Sequence, residues 1–252
     1  MSHLSYGVAN VQGIGRRKGQ EDSFAIVNAV DKDKIFEQGL FFAVCDGMGG
    51  MADGALASQT AITSLKESFR IMDRKKDLAT QLKDAIFKAS YDVESIIGGN
   101  GGSTVVVGII YKEELFYASV GDSFLWLCRD GNLYKLNREM NLYHQNYLKE
   151  IQSGSVDPLD YQEHNEASAL TGFLGMTNLD DIDYSTRSLP LRKDDILLAC
   201  SDGVGGVLIE NDIKKIMNMP SEEIICKQLE QYLVNYDVPN QDNYTAIVVK
   251  IK

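Results

Sequence analysis

Four aspartates and one glutamate stand at the ends of apolar runs. Asp46 closes the run at 40–45 (LFFAVC), and Asp202 follows the run at 196–200 (ILLAC). Glu21 and Asp22 open the stretch at 23–30, and Asp242 precedes the run at 244–249 (YTAIVV). Two sites thus end strands and two begin them. In an antiparallel pair the end of one strand lies beside the start of its neighbour, so pairing 23–30 with 40–45, and 196–200 with 244–249, would gather all four sites. Carboxylates held that close repel unless something positive sits between them. An all-oxygen set suits magnesium, manganese or calcium. No histidine or cysteine accompanies it, which disfavours zinc. Two such cations sharing one carboxylate would activate a water and clamp a phosphoryl group. The glycines after Asp46 and Asp202 allow close backbone approach, so a carbonyl can join the ligands. The Asp-Gly of "RDGN" at 129–132 reads only as a turn.

The elements that must position these acids read as follows. The runs at 40–45, 104–111, 196–200 and 244–249 are short and continuously apolar, as strands buried on both faces are. Residues 5–12, 23–30, 115–120 and 123–128 read as further strands, with hairpin turns expected at "SVGDS" and "RDGN". Helical spacing links Ser58, Ile62, Leu65, Phe69 and Met72, then Leu78, Leu82, Ala85, Ala89, Val93 and Ile96, then Ile225, Leu229, Tyr232 and Tyr236. Ser221 stands where the last helix needs an N-cap. The polar stretch at about 137–181 is weakly periodic and reads as a flap-like insertion with a short helix near 142–151. We expect one domain over 1–252, of the α+β class, with antiparallel sheets and outer helices.

The 252 residues suffice for a sizeable core. A net charge of -11, from 36 acidic and 25 basic residues, argues against nucleic acid and anionic membrane as partners. Cys45, Cys128, Cys200 and Cys226 form no CxxC pair and read as buried reduced thiols. No signal peptide and no run of about 20 apolar residues is present, so a cytoplasmic protein is expected.

The ordered set "RRKGQEDSF", "AVCDGMGGMADG", "GGSTVVVGII", "ASVGDSFLWL", "LACSDGVGG" and "QDNYTAIVV" resembles the metal-dependent Ser/Thr protein phosphatases of type 2C, the PPM family, in their bacterial branch. The motifs run from Arg17 to Val249 in family order. The resemblance implies a four-layer α-β-β-α sandwich with two Mn2+ or Mg2+ ions at one end. Asp46 would bridge both ions and the Gly47 carbonyl would bind one; Asp202 and Asp242 would bind the other. Glu21 and Asp22 match the acidic pair that holds metal-bound waters, and Arg17 the arginine that grips the substrate phosphate. Arg16 competes with it for that role. A planar, permanently charged guanidinium suits the task. The implied reaction is hydrolysis of phosphoserine and phosphothreonine by a water activated at the binuclear centre. Phosphoproteins and a cognate Ser/Thr kinase are the implied partners of a monomer.

The chain departs from the family pattern at four places. Met48 and Met51 stand where eukaryotic and bacterial relatives, respectively, place a histidine; the chain's histidines are His3, His144 and His164. Gly206 stands where an acid would join Asp122 around a third, accessory metal. Gly172 replaces an arginine, and Gln20 replaces an asparagine. These changes leave the principal ligands in place. They also keep open an alternative reading, a catalytically weak or inactive phosphatase-like module that binds phosphoproteins. A non-enzymatic cation-binding protein would explain the acids but not Arg17.

Overall fold

The structure, a computed structural model, describes residues 4–153, 169–235 and 240–252. The chain runs β1 (Tyr6–Gly13), β2 (Ser23–Val27), α1 (Lys32–Gln38), β3 (Leu40–Cys45), β4 (Gly47–Met48), α2 (Met51–Ile71) and α3 (Leu78–Ile97). It continues through β5 (Gly102–Ser103), β6 (Val105–Tyr111), β7 (Glu114–Val120), β8 (Phe124–Arg129), β9 (Asn132–Lys135) and α4 (Leu142–Ser153). Then follow β10 (Asp183–Tyr184), β11 (Leu189–Pro190), β12 (Ile196–Cys200), α5 (Asp202–Gly205), α6 (Glu210–Met217), α7 (Glu222–Asn235) and β13 (Tyr244–Ile251).

One sheet has the order β1-β13-β12-β8-β9 and the other β10-β7-β6-β3-β2, with β11 beside β7. The pairings are antiparallel. The apolar runs are continuous because each strand faces two interiors. In β3, Leu40, Phe42 and Val44 meet Leu197, Ala199, Ile247 and Val249 of the other sheet. Phe41, Ala43 and Cys45 point the opposite way, under Leu65 and Phe69 of α2 and Ile86 and Ala89 of α3. The outer face of the other sheet is covered by Ile213, Ile216, Ile225, Leu229 and Leu233 of α6 and α7. The result is the four-layer α-β-β-α arrangement. No described helix is long and apolar enough to cross a membrane.

Both expected pairings that gather the acids are present: Ser23 faces Cys45, and Cys200 faces Ala246. One local reading holds and two change. The "RDGN" turn joins β8 to β9, with Asp130 and Gly131 at φ 52° and 73°. "SVGDS" is no hairpin, because β7 and β8 belong to different sheets and Asp122 lies where the chain crosses between them. The connection from β2 to β3 carries α1, a helix that the sequence reading did not place. Helix α6 was not expected from the sequence. Tyr236 lies outside the described residues.

Candidate metal and phosphate site

The four carboxylate sites meet where the two sheets share an end. Asp22 precedes β2 and Asp46 follows β3, while Asp202 follows β12 and Asp242 precedes β13. The first pair comes from one sheet and the second from the other. Asp22 is 4% exposed, and its Oδ2 accepts a hydrogen bond of 2.8 Å from the Ser201 hydroxyl, 179 residues away. Asp22 Oδ1 and Asp202 Oδ1 are buried without a hydrogen-bond partner.

The Asp46 backbone is held from both sides. Its carbonyl accepts from the Thr104 amide at 2.8 Å and the Ser103 hydroxyl at 3.0 Å. Its amide lies 3.1 Å from the Thr104 hydroxyl, which itself pairs with Ser123. A Cβ at Gly47 would collide with the Gly54 carbonyl and come within 2.7 Å of the Glu21 carbonyl, so this close approach requires glycine. Gly54 in turn leaves room for the Glu21 carboxylate beside the first turn of α2.

Asn243 fastens the loop that carries Arg17. Its Oδ1 accepts the Glu21 amide at 2.7 Å, and its Nδ2 donates to the carbonyls of Ile14 and Gly19. Arg17 Nη2 then reaches Asp242 Oδ2 at 2.5 Å, with both side chains partly open to solvent.

The acids feel one another. Burial, then the charges of Asp22 and Asp202, hold Asp46 well above the usual carboxylate range. Burial pushes Asp22 up to about 6, against hydrogen bonds from Thr245 and Ser201. Asp202 is raised by burial, with Asp242 adding to it. Glu21 is raised by burial and then by Asp242, while Arg17 opposes the shift. Asp122 is pushed up to about 7 by burial, then by Asp202 and Glu139.

These observations bear on whether the residues suit hard cations. Among the described residues, no three histidines, cysteines or carboxylates already stand in ligating geometry around one point. The guanidinium of Arg17 on Asp242 brings positive charge to one of the four. Oxygen-only donors, mutual repulsion and two buried oxygens without partners are what a hard cation would satisfy. The residues fit such ions.

All the sequence-identified site residues except Asp122 gather at this end in direct succession. Asp122 reaches the group electrostatically, through Asp202. Sequence reasoning missed the residues that brace the acids: Ser201, Thr245, Asn243, Thr104, Ser123 and Gly54. It also missed Asn137, which accepts from the Leu125 amide and donates to the Ser123 carbonyl, clamping the turn around Asp122. The first six sit inside the quoted motifs, which was the available signal; Asn137 does not. His144, the described histidine, has Glu139, Arg138 and Lys135 as its charged neighbours, and burial lowers its pKa. His3 and His164 lie outside the described residues.

Known proteins resemble this chain in sequence and in fold. The chain is 26% identical over 216 residues to the serine/threonine phosphatase stp of Listeria welshimeri serovar 6b, covering 82% of each chain. It is 25% identical over 236 residues to the serine/threonine protein phosphatase PstP of Mycobacterium tuberculosis, covering 90% of this chain and 43% of that protein. Among solved structures, the S. agalactiae serine/threonine phosphatase superposes with a TM-score of 0.81 at 20% identity, over 98% of this chain and 100% of that one. The catalytic domain of PstP in complex with two manganese ions superposes with a TM-score of 0.78 at 21% identity, over 98% and 99%. These superpositions establish the sandwich fold. The family model described as Protein phosphatase 2C matches residues 6–150, more than half of the sequence, and the chain belongs to that family.

Proposed function

We propose that the carboxylate cluster is the catalytic centre of a metal-dependent protein serine/threonine phosphatase, and that it holds two divalent cations. The relatives' phosphatase activity and the manganese-bound PstP domain support metal-dependent hydrolysis of phosphoserine and phosphothreonine. The observation that carries the assignment of residues is the convergence of Asp22, Asp46, Asp202 and Asp242 from two sheets, with three of them raised together.

In this reading Asp46, the Gly47 carbonyl, Asp202 and Asp242 hold Mn2+ or Mg2+. The bound ions would supply activation of the attacking water and neutralise charge on the phosphoryl oxygens. Asp22 Oδ1 and Glu21 accept hydrogens from water in the cluster and so orient it. Arg17, partly exposed at the rim, presents its guanidinium to two phosphate oxygens and gives up Asp242 as the phosphate arrives. Asp122 is the acid we assign to an accessory ion, to which Gly206 contributes no side chain.

Residues 1–252 form one catalytic domain in this reading, with 137–181 as a flap-like insertion whose described part includes α4. The cellular setting we infer is cytoplasmic, with a monomer reversing the work of a cognate Ser/Thr kinase; the charge of -11 supports protein rather than nucleic-acid substrates. The inactive-module alternative is not favoured by the phosphatase relatives. The test is hydrolysis of a phosphothreonine peptide with Mn2+, Mg2+ or EDTA, by wild type and Asp46→Asn. Activity that ignores EDTA, or that survives Asp46→Asn, overturns the assignment.

A further inference from the structure

Ser201 occupies the N-cap position of α5, yet its side chain makes no capping hydrogen bond. It is fully buried. Its oxygen accepts the Thr245 amide at 3.0 Å, while its own amide donates to the Thr245 carbonyl at 3.0 Å. A hydroxyl carries one proton, and since its oxygen accepts from Thr245 that proton remains for another partner. That partner is Asp22 Oδ2, at 2.8 Å. A capping serine that spends neither function on its helix is unusual, since that position ordinarily satisfies a free helix amide.

The consequence is geometric. Ser201 is the last residue before Asp202 and belongs to the sheet of β12 and β13. Asp22 belongs to the sheet of β2 and β3. One hydroxyl therefore ties a carboxylate of one sheet to the backbone that carries a carboxylate of the other. Asp22 is steadied at a second point as well. Gln12 Nε2 bridges the Asp22 carbonyl at 3.2 Å and the Thr245 hydroxyl at 3.1 Å. With Oδ2 committed to Ser201, the oxygen left without a partner is Oδ1.

We infer that Ser201 is a positioning residue for the cation site: its hydroxyl fixes the rotation of the Asp22 carboxylate and the spacing between Asp22 and Asp202. This rests on the reading of the cluster as a cation site. Residues that orient carboxylates around an ion typically change metal affinity about 10- to 100-fold when removed.

The experiment is calorimetric titration of Mn2+ into EDTA-stripped full-length protein, for wild type, Ser201→Ala and Ser201→Thr, with circular dichroism and thermal melts alongside. Ser201→Ala is expected to bind Mn2+ about 10-fold or more weakly, and Ser201→Thr, which keeps the hydroxyl, to bind close to wild type. A fold-stabilising role alone would lower the melting temperature but leave the Mn2+ affinity of the folded protein unmoved. Ser201→Ala that is folded and binds Mn2+ like wild type overturns the inference while the cation site stands. Wild type that binds no Mn2+ overturns the cation site, and the inference with it. Should Ser201→Ala fail to fold, Ser201→Cys keeps the volume but weakens the donor, and the same affinity comparison decides.

Discussion

Arg17 Nη2 sits 2.5 Å from Asp242 Oδ2, so the residue assigned to phosphate is bonded to a residue assigned to metal. The pair is half exposed, and such pairs contribute little to stability. Arg17→Ala is therefore expected to change unfolding free energy by no more than about 0.5 kcal/mol. Its effect should fall on phosphopeptide turnover, roughly 10- to 100-fold in kcat/KM, the worth of a hydrogen bond to a charged group. Arg17→Lys should recover part of that loss but not the two-point grip. Steady-state kinetics with unchanged kcat/KM for Arg17→Ala would remove Arg17 from the site.

Asp46→Asn should have opposite effects on activity and on metal-free stability. Activity should drop by more than about 100-fold, beyond what outer-shell changes cause. In EDTA, however, the variant should melt at a higher temperature than wild type, because it removes a buried, repelling carboxylate. Melting curves in EDTA and in Mn2+ check both halves; a lower melting temperature in EDTA contradicts the repulsion described here.

Met48 and Met51 stand where the family resemblance implies a histidine, and the described histidine, His144, has other charged neighbours. Proton delivery to a poor leaving group should then limit the rate. Nitrophenyl phosphate, whose leaving group needs little protonation, should be hydrolysed much faster than an alkyl phosphoester. Equal rates for the two esters would show that another acid serves.

Asp77 caps α3: its carboxylate accepts from the Thr80 hydroxyl at 2.5 Å and the Thr80 amide at 2.9 Å. The Thr80 hydroxyl, then the amide, hold its pKa below the usual value. A depressed folded pKa means that the contribution is present above the unfolded value, about 3.9, and is lost as pH falls through the folded one. Asp77→Ala should cost about 1 kcal/mol near neutral pH. Asp77→Asn should keep most of the cap while flattening this part of the acid limb, as denaturant titrations at several pH values would show.

Asp195 is 1% exposed and receives Arg129 through both oxygens, Nε at 2.8 Å and Nη2 at 2.6 Å, with the Arg192 amide adding a third bond at 2.7 Å. Removing one member strands the other. Asp195→Ala should cost about 3–5 kcal/mol, read from urea unfolding. A loss below about 1 kcal/mol would mean that the pair is solvated in practice.

The acids were legible because each stands at the end of an apolar run, and because strand ends of antiparallel neighbours coincide. Asp22 and Asp46 could be placed together from Ser23 and Cys45 alone. What holds them was not legible. Ser201 and Asp22 are 179 positions apart, and serine before an aspartate reads as a cap or a turn. The same limit hid the crossing at Asp122, since "VGDS" has the composition of a hairpin turn whether or not the strands stay in one sheet. Helix α6 is only eight residues long, and Ile213, Ile216 and Met217 complete too few turns to reveal a period.

Carboxylates drawn from two sheets give cation loading a mechanical meaning. Ions shared by Asp46 and Asp202 would rivet one half of the sandwich to the other, at a seam that otherwise opens with the apolar interior between Phe42 and Ile247. Ligand-linked stabilisation then grows with the logarithm of free metal, reaching about 4 kcal/mol at a thousandfold excess over Kd. Metal supply would thus govern how long the folded enzyme survives, as well as how fast it turns over.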